Sequence, residues 1–299
     1  MADIYIFDRN SVDLHHDRAK RDLSKHDFLY REVADRLGDR LLDIARKFPE
    51  ALNLGSQHNI LTEVLGERGG IEKFTASKYR ASSSQIGNPD SEEGTHEIVE
   101  EILPFEPQAY DLIISNLCLH WVNDLPGTLV QANRCLKPNG LFLSAMLGGE
   151  TLKELRVALM EAEMEIEGGV SPRVSPLIDV RDAGALLQRA GFALPVTDYD
   201  RIEVSYASAF ELMKELRGMG ETNAVHNRRK TFTRRDTLLR AAQIYQEKFL
   251  DEEGRINATF DVIYLAGWAP HESQQQPLRP GTAATRLADF LDTDETKLN

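Results

Sequence analysis

Cysteine is nearly absent: Cys118 and Cys135 are the only two in 299 residues. Neither stands in a CxxC pair and both have apolar neighbours. A disulfide framework or a cysteine zinc site is therefore without support, and buried thiols in a reducing compartment are expected. No apolar run approaches the roughly 18 residues of a membrane span. The start, MADIYIFDRN, lacks the layout of a signal peptide. The expected location is cytoplasmic, with at most peripheral contact at the inner face of the membrane. HExxH, P-loop and GxSxG patterns are all missing, which removes the usual zinc, phosphate-loop and serine-hydrolase readings. Positive charge is also short: 35 Lys and Arg against 48 Asp and Glu leave a net charge of -13. That balance counts against nucleic acid as a partner. His15 and Asp17 form an HxD pair, the local half of an iron facial triad. They lie in a charged leader rather than on a barrel strand, so no metal site is expected.

The hydrophobic pattern carries the fold. Residues 1–48 read as a charged helical leader. From Phe28 to Phe48, apolar residues at Leu29, Val33, Leu37, Leu41 and Ile44 recur at helical spacing, and Pro49 ends the run. Signs alternate earlier in the leader, at Asp8, Arg9, Asp17, Arg18, Lys20 and Arg21, which predicts a local ion-pair network. Strands are predicted at 51–55, 71–76, 111–116 and 140–147, with 78–96 a polar surface excursion and Pro138-Asn139-Gly140 a tight turn. Helices are predicted at 60–65, 125–136, 152–167 and 179–190. Late strands follow at 196–206 and 257–268, separated by helices at 207–216 and 235–249. Alternation of this kind predicts an α/β fold with a mostly parallel sheet covered on both faces. The chain divides into the leader, a domain at 49–272 with a helical insertion at about 207–250, and a polar tail at 273–299 holding a small helix near 284–291.

In an open α/β sheet, ligands bind at the carboxyl ends of the strands. A nucleotide-type cofactor needs bare backbone after the first strand and a carboxylate at the end of the second to take ribose hydroxyls. Here the first strand runs into Gly55, followed by Ser56, Gln57, His58 and Asn59, with no second glycine. The second strand ends near Ala76, Ser77 and Lys78, with no carboxylate. By contrast, the stretch from Asn116 to Asp124 is rich in chemistry. His120 is a candidate acid–base residue and Trp121 a substrate-positioning wall, while Asp124 serves equally as the N-cap of the next helix. The densest basic patch, Arg228, Arg229, Lys230, Arg234 and Arg235, is either a solvated loop or a dock for an acidic partner.

Several stretches go further. They are FDRN at 7–10, HHDRAK at 15–20, LPFEPQAYDLIISNLCLHWVNDLPGTL at 103–129 and RCLKPNGLFLSAMLGGETLKELR at 134–156. GGVSPRVSPLIDVRDAGALLQRAGF at 168–192, FELMKELRGMGETNAVHNR at 210–228 and ATFDVIYLAGWAPHESQQQP at 258–277 extend the match. Across about 28–290 the chain closely resembles the arginine-hydroxylating assembly factors of respiratory complex I. These are methyltransferase-like proteins similar to the malonyl-carrier-protein methyltransferase of biotin synthesis. The resemblance implies a class I S-adenosylmethionine-dependent methyltransferase (Rossmann-like) fold with a seven-stranded sheet. It also implies a protein partner, a peripheral-arm subunit of complex I or an active paralogue. Against the family pattern, Asn53 and Ser77 replace acidic residues, and the glycine-rich loop becomes Ser56 to Asn59. Asn53, Gly55, Ser56, Ser77 and Asn116 are then vestigial cofactor positions, with either no cofactor or weak, atypical S-adenosylmethionine binding. The expectation is a pseudo-enzyme that binds a complex I subunit. The alternative is an active methyltransferase or a protein-arginine hydroxylase, the latter needing an oxygen-activating redox partner.

Overall fold

The computed structural model describes residues 5–55, 58–81 and 95–275. Its framework is one seven-stranded sheet in the order β3-β2-β1-β4-β5-β7-β6. The strands are β1 (Glu50–Asn53), β2 (Lys73–Arg80), β3 (Thr95–Val99), β4 (Tyr110–Asn116), β5 (Leu136–Gly148), β6 (Ala193–Tyr206) and β7 (Ile256–Trp268). All neighbouring pairs from β3 through β5 are parallel, whereas β7 runs antiparallel to both β5 and β6. This is the class I methyltransferase arrangement that the sequence pattern and the resemblance led us to expect.

The helices are α1 (Arg9–Ala19), α2 (Phe28–Leu42), α3 (Ile60–Leu65), α4 (Leu125–Cys135), α5 (Lys153–Glu167), α6 (Val180–Arg189), α7 (Ala209–Met219) and α8 (Arg235–Phe249). Central strands are apolar because both their faces are covered. In β4, Leu112, Ile113 and Ile114 are fully buried, with Leu112 and Ile114 facing one core and Ile113 the other. Burying each such side chain contributes about 1.5–3 kcal/mol. The first core is closed by α2, α3, α5, α7 and α8 and the second mainly by α4 and α6. Helix starts follow ordinary capping chemistry: Asp124, Asp179 and Ser208 each accept a backbone N–H from the first turn they open.

Several local expectations change. The second strand does not end near Ala76 but continues to Arg80, and β3 follows at Thr95–Val99, beginning at the end of what was expected to be a polar excursion. Lys78, Tyr79 and Arg80 read as surface in the sequence, yet all three are buried, with Asp17 of α1 against Lys78 and Arg80. The charged stretch before Phe28 is itself largely helical, and its ion pairs reach across the chain as well as along it. Pro138-Asn139-Gly140 is not a tight turn separate from the strand; it is absorbed into β5 beside a register shift, with Asn139 at φ +62°. Residues 82–94 and the segment near 284–291 lie outside the described residues.

Candidate functional site

At the carboxyl end of β1 the chain turns at Gly55, whose φ of +76° favours glycine. The Gly55 N–H donates to Ser77 Oγ at 3.3 Å, and the Ser77 hydroxyl donates to the Asn53 carbonyl at 3.0 Å. Ser77 thus stitches β1 to β2 where a ribose-binding carboxylate would stand. A Cβ added to Gly55 would overlap Cys118 Sγ and come within 2.9 Å of Tyr79 Cε2. The bare backbone of this glycine is already covered by side chains of the protein.

Helix α1 closes the same edge. Asp13 accepts the Ala81 N–H at 2.8 Å, and Arg9 donates to the Trp121 carbonyl at 3.0 Å while lying 5.4 Å from the Tyr79 ring centre. Asp17 sits 3.2 Å from Lys78 Nζ and 3.2 Å from an Arg80 guanidinium nitrogen. His16 is 2% exposed, and its imidazole carbon lies where a side chain on Gly220 would have to go. Burial holds the His16 pKa well below its ordinary value, and the charges around it, beginning with His58 and Arg9, act in the same direction. His58 is depressed to about 3, chiefly by burial and then by Lys78 and Lys20. Lys78 falls to about 8 for the same first reason, despite Asp17.

A second grouping lies at the end of β4. After Asn116, a 3-10 turn at Leu119–Trp121 brings His120 and Trp121 toward the residue that follows α7 and its C-cap Gly220. Glu221 is the centre of this grouping. Its Oε2 receives Trp121 Nε1 at 3.0 Å and lies 3.1 Å from His120 Nε2, and its Oε1 accepts from the Tyr30 hydroxyl at 2.9 Å. The His120 and Glu221 side chains are 2% and 6% exposed. His120 Nδ1 is buried and has no hydrogen-bond partner among the described residues. The pair resembles an acid–base dyad in that a carboxylate on one ring nitrogen fixes the ring. Burial and Glu221 together push the Tyr30 pKa well above its usual value, so that its hydroxyl stays a donor.

The dyad opens on a cavity of about 470 Å³, within the range of about 300–1,000 Å³ usual for small-ligand sites. Leu147, Leu152, Leu155, Leu159 and Leu177 make its wall, while Arg173, Lys214 and Arg217 also line it. Trp121 contributes one face, held edge-on by Phe7 at 5.2 Å between ring centres.

Of the residues singled out in the sequence, His120 and Trp121 come together on this cavity. Asn53, Gly55 and Ser77 come together at the covered β1 turn, apart from it. Asn116 faces α2, donating to the Tyr30 carbonyl at 2.9 Å. Ser56 lies outside the described residues. Asp124 is the N-cap of α4, accepting from Gly127 N–H at 2.9 Å. His15 and Asp17 diverge, to the Thr222 carbonyl and to Lys78 and Arg80, and no metal-holding cluster occurs among the described residues. In the basic stretch, Arg228 pairs with Asp8 and Arg229 with Glu167. Glu221 and Tyr30 were missed. Glu221 stood in the GMGETNAV stretch that carried the resemblance, but one acid among many gives no signal of burial beside a histidine about a hundred positions away.

Comparison with known proteins bears on this geometry. A family model described as a methyltransferase domain matches residues 25–195. The arginine-hydroxylase NDUFAF5, mitochondrial, of Danio rerio is 43% identical over 290 residues, covering 95% of this chain and 89% of the relative. The Homo sapiens protein of the same name is 44% identical, covering 89% and 77%. A malonyl-[acyl-carrier protein] O-methyltransferase of Methylovorus sp. is 31% identical, covering 90% and 92%. The NDUFAF5 relatives are mitochondrial proteins, which overturns the cytoplasmic placement expected from the sequence.

Proposed function

The chain belongs to the methyltransferase-domain family of arginine-hydroxylase NDUFAF5, and from that premise we propose that it acts on an arginine side chain of a protein subunit during assembly of respiratory complex I. The observation that carries this reading is the buried Glu221 carboxylate at the head of a leucine-walled cavity. A guanidinium is the complement of such a group: a planar cation with several N–H donors and an aliphatic stem suited to apolar walls. Oε1 has one protein donor and retains acceptor capacity for the substrate. His120 stands beside it to take or return a proton, and Trp121 limits the approach to one side. The relatives' name favours an acting enzyme over an inert scaffold.

The residues described at the β1 turn do not suit an adenosyl cofactor. Cys118 and Tyr79 fill the approach to Gly55, Ser77 replaces the ribose carboxylate, and the end of β2 carries the cations Lys78 and Arg80, which Asp17 of α1 covers. No step is therefore drawn through S-adenosylmethionine. Hydroxylation needs an oxygen-donating oxidant from outside the chain, and the protein's own share is to hold the arginine and move protons.

The test joins calorimetry with mass analysis. The purified chain is titrated with S-adenosylmethionine to about 1 mM and, separately, mixed with the peripheral-arm subunit and a source of dioxygen and reducing equivalents. A one-oxygen gain on a subunit arginine, lost in Glu221→Gln, supports the reading; a one-methyl gain with tight cofactor binding refutes it. A second reading, a protein-binding scaffold without catalysis, is favoured specifically by the covered β1 turn. It predicts stable subunit binding with no change of mass.

A further inference from the structure

The cavity that holds the Glu221 carboxylate also has arginines about its mouth, two of which lack an ion-pair partner among the described residues. Arg217 lines the cavity from α7, and Arg18 of α1 reaches the rim by donating to Thr222 Oγ1 at 3.0 Å. Neither arginine forms an ion pair among the described residues, in a chain whose net charge is -13. The neighbouring charges are otherwise occupied. Arg173 is held by Glu163, Lys214 lies 3.8 Å from Glu211, and His26 and Glu215 pair at 2.6 Å. His15, on the Thr222 carbonyl at 3.0 Å, has its pKa lowered to about 4 by burial and then by Arg18, so it is neutral near pH 7 and adds no charge. Arg18 is itself disfavoured as a cation by burial and by Arg217. Two guanidiniums held within electrostatic reach, neither in an ion pair among the described residues, repel each other and gain from an anion placed there.

We infer that Arg217 and Arg18 select an acidic residue on the partner segment, close in sequence to the arginine that Glu221 receives. This rests on the arginine reading above and adds the substrate's charge pattern to it. Glu221 and Thr222 are consecutive, so the two recognition points are near one another. An extended segment advances about 3.3–3.6 Å per residue, which places the acidic residue within about three positions of the arginine. The leucines that line the cavity favour apolar residues in the remaining positions. The partner is thus a segment in which one arginine and one nearby Asp or Glu sit among apolar residues, and an arginine flanked by Lys or Arg is rejected.

Fluorescently labelled peptides of alanine and leucine with one central arginine, titrated with the full chain at low salt, test this. With Asp two positions from the arginine, binding is expected to be about tenfold tighter than with Asn there. Arg217→Glu should erase that preference and reverse it toward a Lys-bearing peptide. Arg217 is an exposed α7 position, so the variant should keep the wild-type melting temperature. Equal binding of the Asp and Asn peptides, with dependence on the central arginine retained, overturns the rim selection and leaves the arginine reading standing. Indifference to replacing the arginine by citrulline, or no binding by any peptide, overturns the arginine reading and the rim selection with it.

Discussion

The carboxylate of Asp17 lies 3.2 Å from the ammonium of Lys78, joining a helix of the charged leader to the strand whose end would serve a nucleotide cofactor. Lys78 is 8% exposed at its side chain and Asp17 37%, and Arg80, also 8% exposed, shares the same carboxylate. The leader is therefore part of the carboxyl edge of the sheet, and its contacts there are charged ones that water would otherwise supply.

Asp17→Asn should lower the unfolding free energy by about 2 kcal/mol, less than the full cost of breaking a buried pair because Asp17 is partly solvated. Urea denaturation of the variant measures it, and Asp17→Asn combined with Lys78→Met should recover part of the loss. Burial raises the Asp17 pKa, but Lys78 and Arg80 outweigh it and the net shift is downward. The contribution is thus complete above the unfolded value near 3.9 and disappears as pH falls through the lower folded value. A wild-type chain no more stable than Asp17→Asn at neutral pH would contradict this.

The buried histidines predict a different window. His58 is lowered to about 3 and His15 to about 4, with His16 also well below its ordinary 6.5, burial being the first cause in each. Between pH 6.5 and about 4 the unfolded chain binds these protons and the folded chain does not, so stability falls as the solution is acidified. Each histidine contributes a slope of at most about 1.4 kcal/mol per pH unit. Urea midpoints from pH 7.5 to 5 should drop steeply, and His58→Gln should flatten the curve. A profile independent of pH across that interval would show that these rings are hydrated in the folded protein.

How much of this was legible beforehand depends on range. Leu112, Ile113 and Ile114 announced a central strand because both faces of a parallel sheet demand apolar residues. Asp124 announced a cap, since its partner is three residues away. Lys78 and Arg80 misled: their charge is met by Asp17, more than sixty positions distant, which no local pattern encodes. His120 and Trp121 were visible as chemistry after a strand. Glu221, which makes them a site, was not, because its burial depends on how α7 returns over the sheet.

Gly55→Ala tests whether the β1 turn is closed by the protein itself. The new methyl group meets Cys118 and Tyr79 at a residue with φ +76°, so both clash and backbone strain oppose it. A loss of about 2–4 kcal/mol is expected from thermal or urea unfolding. Adding Cys118→Ala should return the part due to overlap and leave the part due to φ. An alanine variant as stable as the wild type would mean that the turn is open and that room for a ligand exists there.

Glu221 and His120 separate binding from chemistry. Glu221→Gln keeps the shape of the side chain but removes its charge and presents an amide to Tyr30, Trp121 and His120. Arginine-peptide affinity should fall about 10–100-fold, the loss expected when a charge-assisted hydrogen bond is replaced by a neutral one. His120→Asn leaves the carboxylate in place and removes the group able to exchange a proton. It should keep affinity within about threefold while reducing turnover on the peripheral-arm subunit by about 100-fold or more. Affinity is read by fluorescence titration and turnover by the one-oxygen mass gain. The two variants must therefore differ in kind: one weakens capture, the other slows reaction after capture. If His120→Asn also abolished capture, the ring would be a structural brace for Glu221, and the proton-exchange role assigned to it would fall.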